Sequence, residues 1–223
     1  MANDIDYPLQ CYDFGVESKT PFAPSIEYQI LEGFVDNSEG QLTELKKEIL
    51  DKEKSIIDST EFVSDWGTKL GKNSLTSRSS NYNLLEFDNA SWLHEAISEM
   101  HKIYLSFADV ECEGNYYVQC WANVMRKKEK IAPHFHGGNE FSYLSGHLCL
   151  QVINTSTHYI QPFTETVWSS KNEQNKITVF PSYIKHYTDA VSSNVERITI
   201  AFDIITEEAW EKDVSKKSHW VKL

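Results

Sequence analysis

Two short stretches of this 223-residue chain concentrate side chains that bind metals and anions. The first reads His134-Phe135-His136-Gly137-Gly138-Asn139-Glu140. The second runs Phe180-Pro181-Ser182-Tyr183-Ile184-Lys185-His186 and leads to Arg197-Ile198-Thr199-Ile200-Ala201-Phe202. Side chains alternate along an extended segment, so His134 and His136 point to one face. The distant His186 then completes a metal-binding face. Arg197 and Thr199 share a strand face by the same rule, and a guanidinium there can grip a carboxylate through two hydrogen bonds. Glu140 is the nearest acidic residue. On a regular strand it shares the imidazole face, although Gly137-Gly138 works against regular geometry.

These residues resemble the 2-oxoglutarate- and iron(II)-dependent oxygenases over about residues 115–204, especially the small members encoded by bacteriophages and bacteria. In that family a His-rich motif ends one strand, a distal His lies near the start of a later one, and an Arg shortly beyond it holds 2-oxoglutarate. His186 and Arg197 match this arrangement, and Phe180-Pro181-Ser182 with the Arg-Ile-Thr-Ile-Ala-Phe-Asp strand matches the phage branch. The resemblance implies Fe(II) and 2-oxoglutarate as cofactors and O2 as co-substrate. The implied reaction hydroxylates a C–H bond and releases succinate and CO2. The resemblance implies His134 or His136 and His186 as metal ligands and Arg197 as co-substrate anchor; the residues themselves add Glu140 as a further ligand candidate, Thr199 on the strand face of Arg197, and Asn123 or Gln119 as a hydrogen-bonding partner of the co-substrate. The family at large carries His-x-Asp or His-x-Glu where this chain has His136. The third ligand is therefore open between His136 and Glu140, and a site of three imidazoles is an alternative. Iron oxygenase sites usually present two imidazoles and one carboxylate.

The spacing His-x-His-x-x-x-Glu also resembles the first metal motif of cupins, which share the double-stranded β-helix. A cupin-like metal enzyme or binder without 2-oxoglutarate is the first rival reading, and a catalytically silent jelly-roll interaction module is the second. A cupin site has no need of Arg197, which favours the oxygenase.

The length suits one domain with a substantial core. The expected organisation is an N-terminal arm and supporting helices over 1–110, a jelly-roll catalytic core over 115–204 and a tail over 205–223. The fold class is mainly β with an N-terminal helical layer. A formal charge of −12 weighs against a nucleic-acid partner, because backbone binding depends on lysines and arginines. The basic run Arg126, Lys127, Lys128 and Lys130 reads as a solvated loop. A protein side chain or a small metabolite is the expected prime substrate. Cys11, Cys112, Cys120 and Cys149 form no disulfide framework, and Met1–Pro8 lacks the pattern of a leader, so the expectation is a cytoplasmic protein (the host's, if phage-encoded) with no membrane span.

Residues 1–27 read as an extended arm. A helix over 38–57 carries the stripe Leu42, Leu45, Ile49 and Ile56, with Ser38 and Gln41 at capping-box spacing. The polar stretch 64–88 reads as a connector, and a second helix fits 90–107. His94 and His101 on that helix read as structural. Strands are expected at Tyr116–Met125, Phe141–Ile153, Tyr159–Trp168, Lys176–Phe180 and Glu196–Ile204. On the first of these, Gln119, Trp121 and Asn123 form one face, and Val118, Cys120, Ala122 and Val124 the other; either face can line a pocket. Tyr143, Tyr183 and Tyr187 read as packing residues. Trp210, Val214 and Trp220 in the tail suit packing in cis, with a homodimer contact as the alternative.

Overall fold

The computed structural model describes residues 9–36, 39–212 and 219–223. Two antiparallel sheets form a jelly roll, the double-stranded β-helix expected from the sequence. The larger sheet is built from β1 (Gln10–Val16), β2 (Ile26–Phe34), β3 (Tyr116–Met125), β4 (Leu144–Gln151), β7 (Lys176–Pro181), β9 (Arg197–Thr206) and β10 (Val221–Lys222), in the order β1-β2-β7-β4-β9-β3-β10. The smaller sheet orders β5 (Ser156–Ile160), β6 (Val167–Lys171) and β8 (Lys185–Thr188) as β6-β5-β8.

Strand alternation decides what each face of the larger sheet meets. Val118, Cys120, Ala122 and Val124 of β3 join Ile200, Phe202 and Ile204 of β9 in the main core. Helices α1 (Glu39–Ser59) and α2 (Ser91–Phe107) contribute Leu42, Leu45 and Ile49, and Leu93, Ile97 and Met100, to the same core. Their apolar residues recur at helical spacing, so each helix buries one stripe. The opposite face, with Gln119, Trp121 and Asn123 on β3 and Thr199 and Asp203 on β9, lines the space between the sheets. Gly146 on β4 serves the packing of the core face, since a Cβ there would overlap the Phe202 ring and the Thr178 carbonyl.

Several elements differ from the sequence reading. The arm expected over 1–27 instead provides the β1–β2 hairpin, paired from Gln10↔Glu32 to Val16↔Ile26 and joined to β7. β1 is an edge strand with much of its surface in water, so its apolar alternation is faint. The strand expected at Tyr159–Trp168 breaks at a turn after Ile160, where Phe163 and Glu165 adopt φ of 64° and 56° next to Pro162. β8 was not foreseen. The connector over 64–88 contains two 3-10 turns, the largely buried Leu75–Asn81 and the shorter Leu84–Glu86, capped by the side chains of Ser74 and Asn83. Ser and Asn read as loop because they bond nearby backbone groups, and here those bonds build the element. Helix α2 begins after Ala90, which has no side-chain cap, whereas the backbone N–H groups of Asp88 and Asn89 donate to Glu48 at 3.0 Å. Residues 1–8, Ser38 and Val214 lie outside the described residues.

The tail packs in cis: Trp210 stacks on Tyr117 with centroids 4.3 Å apart, and β10 pairs with β3. His94 bonds the Lys222 carbonyl and His101 the Tyr143 hydroxyl, each at 2.8 Å, as their structural reading required. In the basic run, Arg126 pairs with Glu53 of α1 at 2.6 Å. The four cysteines are free. No helix among the described residues is long and apolar enough to cross a membrane.

Glu48 ties α1 to the start of α2. Burial alone would raise its pKa, but the Lys52 ammonium and the Asn89 and Asp88 donors outweigh that and hold it at about 2, from an ordinary 4.5. A depressed carboxylate contributes stability that is complete above its unfolded pKa and disappears as pH falls from about 4.5 toward about 2. Glu48→Gln is therefore expected to lose roughly 2–3 kcal/mol at neutral pH. Urea melts at several pH values should show a flatter acid limb for the variant.

Candidate metal centre

His134, His136 and His186 converge: one ring nitrogen from each lies within 4.8 Å of the others. Ring centroids are 4.4 Å apart for His134–His186 and 5.2 Å for the other two pairs. The segment carrying His134 is not a regular strand. It meets β8 through a single bridge, in which the His134 and His186 backbones exchange hydrogen bonds of 3.0 and 2.9 Å. The His136 N–H then donates to the Ser182 carbonyl at 2.9 Å. These backbone bonds hold the two imidazoles of the first motif against the one from β8.

Each imidazole is oriented through its Nδ1. The His134 Nδ1–H donates to the Ala132 carbonyl at 3.0 Å, and that of His186 donates to the Ile184 carbonyl at 3.0 Å. His136 Nδ1 donates to the Asp203 carboxylate at 2.6 Å, and Asp203 also accepts from the Ser145 hydroxyl at 2.6 Å. With Nδ1 acting as donor, Nε2 carries the free lone pair, the tautomer a metal ligand needs. Burial, reinforced by the neighbouring His136, lowers His134 to about 4, and burial pushes His186 well below the usual imidazole range. Both are neutral at physiological pH. Three oriented imidazoles on one cavity wall fit a divalent transition metal.

Glu140 is not part of this cluster. After His136 the chain turns away through Gly137 and Gly138 into a turn closed by Ser142 N–H on the Asn139 carbonyl at 3.1 Å, leaving Glu140 exposed. A Cβ at Gly138 would meet the edge of the Phe135 ring at 2.9 Å, a contact that this exposed side chain can relieve by shifting. The four-ligand cupin arrangement is therefore not assembled. The carboxylate close to the imidazoles is Asp203, acting through His136, and sequence reading missed it. The signal was present: Asp203 lies six residues after Arg197, on the same face of β9 by strand alternation.

A cavity of about 500 Å³ opens over the imidazoles. Arg197 lines it, only 2% exposed. Its Nε has no hydrogen-bond partner, its contact with the Thr199 hydroxyl is 3.4 Å long, and it forms no ion pair among the described residues. Burial lowers its pKa, yet a guanidinium remains charged. A buried, unpaired cation is costly unless an anion completes it. Thr199 and Asn123 lie opposite each other in the β3–β9 register, and both line the cavity. Asn123 already accepts from the Thr76 hydroxyl, which ties the 3-10 turn to the cavity wall. The 64–88 stretch is thus part of the cavity and not a plain connector. Trp66, its indole donating to the Ser79 hydroxyl at 3.1 Å, stands at the mouth with Phe135, Phe141 and Trp220. Of the three tyrosines, Tyr143 lines the cavity, Tyr183 packs edge-on to Tyr28, and Tyr187 stacks on His158.

Because Asp203 fixes one imidazole, Asp203→Asn is expected to weaken divalent-metal affinity by about 10- to 100-fold while the fold persists. Metal titration under anaerobic conditions would measure it. Glu140→Gln should leave that affinity unchanged.

Residues 119–203 match the model of a family described as "Putative 2OG-Fe(II) oxygenase". Among solved structures, AviO1 from Streptomyces viridochromogenes Tue57 is similar with a TM-score of 0.55 at 12% identity, over 81% of this chain and 90% of that one. A Pseudomonas putida prolyl-4-hydroxylase is similar with a TM-score of 0.54 at 10% identity, over 80% of this chain and 92% of that one. The non-heme alpha ketoglutarate dependent epimerase SnoN from nogalamycin biosynthesis gives 0.52 at 14% identity, over 79% and 76%. At such identities the likeness establishes the fold. No curated protein matches the chain by sequence.

Proposed function

We propose that this chain is an iron(II)- and 2-oxoglutarate-dependent dioxygenase that hydroxylates a C–H bond of its prime substrate. The observation that carries this reading is the buried, unpaired Arg197 in the same cavity as three oriented imidazoles. A metal-binding module needs no such cation, and neither does a silent jelly roll. The matched family segment spans His134, His136, His186 and Arg197, which supports it.

In this reading the Nε2 atoms of His134, His136 and His186 hold the metal. Arg197 and Thr199 hold the far carboxylate of 2-oxoglutarate. When bound, Fe(II), 2-oxoglutarate and O2 together supply the oxidation, yielding succinate, CO2 and a hydroxylated product. The protein's part is to orient and to shield. Asp203 accepts from His136 Nδ1 and so keeps its Nε2 free to ligate. Trp66, Trp121, Phe135, Phe141 and Trp220 wall the open side, so an apolar or ring-bearing part of the substrate fits there and water is displaced. A protein side chain and a small metabolite both meet that requirement.

Incubation with Fe(II), 2-oxoglutarate, air and a cell extract should release succinate and produce a species heavier by one oxygen atom. An epimerised, cyclised or desaturated product with succinate release would replace hydroxylation while keeping the co-substrate. Absence of succinate under all conditions would refute the reading.

A further inference from the structure

His147 is a buried titratable group that the proposed reaction has not used. It sits on β4, 8% exposed, and lines the cavity. Its ring makes no hydrogen bond with any described residue, and its nearest aromatic neighbour is Phe180, with centroids 6.4 Å apart. A polar ring kept inside a protein without a partner costs about 1–3 kcal/mol, so a buried group left open toward a cavity points to a ligand.

Strand register fixes what that ligand can be. On β4, Ser145 pairs with Asp203, His147 with Ala201 and Cys149 with Thr199. One end of this stripe reaches the metal centre through Ser145, Asp203 and His136. The other end reaches Thr199, beside Arg197. His147 stands between them, about 7 Å along the strand from either level at ~3.4 Å per residue. A molecule that chelates the metal with one end and meets Arg197 with the other must pass His147.

We infer that His147 is a positioning residue for the co-substrate, its imidazole hydrogen-bonding the bound 2-oxoglutarate between the metal centre and Arg197. This rests on the proposed dioxygenase reading. Burial, with the nearby Arg197 cation, holds the ring neutral, with a pKa of about 3, so it offers one N–H donor without adding charge. Cys149, one step along the same face, is already engaged with the Asn172 side chain at 3.7 Å.

The test compares wild type, His147→Phe and His147→Gln, each loaded anaerobically with Fe(II) and titrated with 2-oxoglutarate by calorimetry and visible absorption. Expected results are unchanged Fe(II) affinity in all three and a 2-oxoglutarate Kd raised about 10- to 100-fold in the Phe variant, the worth of a hydrogen bond to a charged group. The charge-transfer band of the chelated co-substrate should shift in the Phe variant, and the Gln variant should recover most of the affinity. Unchanged Kd and band in both variants, with a normal wild-type band, would overturn the role of His147 alone. A wild type that shows neither band nor binding would overturn the dioxygenase reading and this inference with it. If the Phe variant does not fold, the Gln variant together with His147→Asn decides: equal affinity and an identical band in both would refute the inference, and graded loss would support it.

Discussion

Arg197→Ala should leave Fe(II) bound and cost at least about a hundredfold in 2-oxoglutarate affinity, the loss typical of removing one partner from a buried charged hydrogen-bonded pair. The side chain is nearly inaccessible, unpaired and directed to a cavity that also holds the imidazoles. Its removal takes away the one guanidinium that lines that cavity among the described residues. Arg197→Lys should recover little, because an ammonium cannot reproduce the planar, two-pronged contact with a carboxylate. The alanine variant should also be no less stable, and is expected to be slightly more so, since it no longer buries an unpaired cation. Equilibrium binding and thermal melts measured side by side would check both statements. A destabilised variant with intact 2-oxoglutarate affinity would mean that Arg197 is structural.

His186→Ala should abolish stoichiometric Fe(II) binding and with it all succinate production. Its loss should exceed the tenfold to hundredfold expected when only a supporting group such as Asp203 is changed. His186 has two roles. Its ring contributes the ligand from β8, and its backbone pairs with that of His134. The alanine variant keeps the backbone pairing, so the site should lose a ligand without losing its frame. Equilibrium dialysis with Fe(II) or Mn(II) would separate the two. His134→Ala should behave alike, and Glu140→Ala should not.

How much of this was legible beforehand differs between the two halves of the molecule. The His134/His136 pair was readable from its period-of-two spacing, and His186 with Arg197 from the resemblance of their segment to a known family. The jelly-roll core was readable because β3, β7 and β9 carry strong β-branched and aromatic runs. Glu140 was misplaced because spacing alone assumed an extended chain through Gly137-Gly138, where the backbone turns. Asp203 shared a strand face with Arg197 in the sequence, but its link to His136, and the place of His147 beside Ala201, become visible only once strands are paired. Sheet register is a long-range property, and local pattern does not contain it. The hairpin at the N-terminus and the 3-10 turns of the 64–88 stretch failed to stand out because tertiary contacts, not local propensity, stabilise them. That stretch supplies Trp66, Thr76 and Ser79 to the cavity, so the part that read as a mere link bears on selectivity.

The most direct test is a crystal soaked anaerobically with Fe(II) and 2-oxoglutarate and measured at the iron edge. A single anomalous peak about 2.0–2.1 Å from Nε2 of each of His134, His136 and His186, the usual metal–imidazole distance, is expected. Continuous density for the co-substrate should run from that peak to Arg197. Iron bound at Glu140, or 2-oxoglutarate bound away from Arg197, would contradict the account.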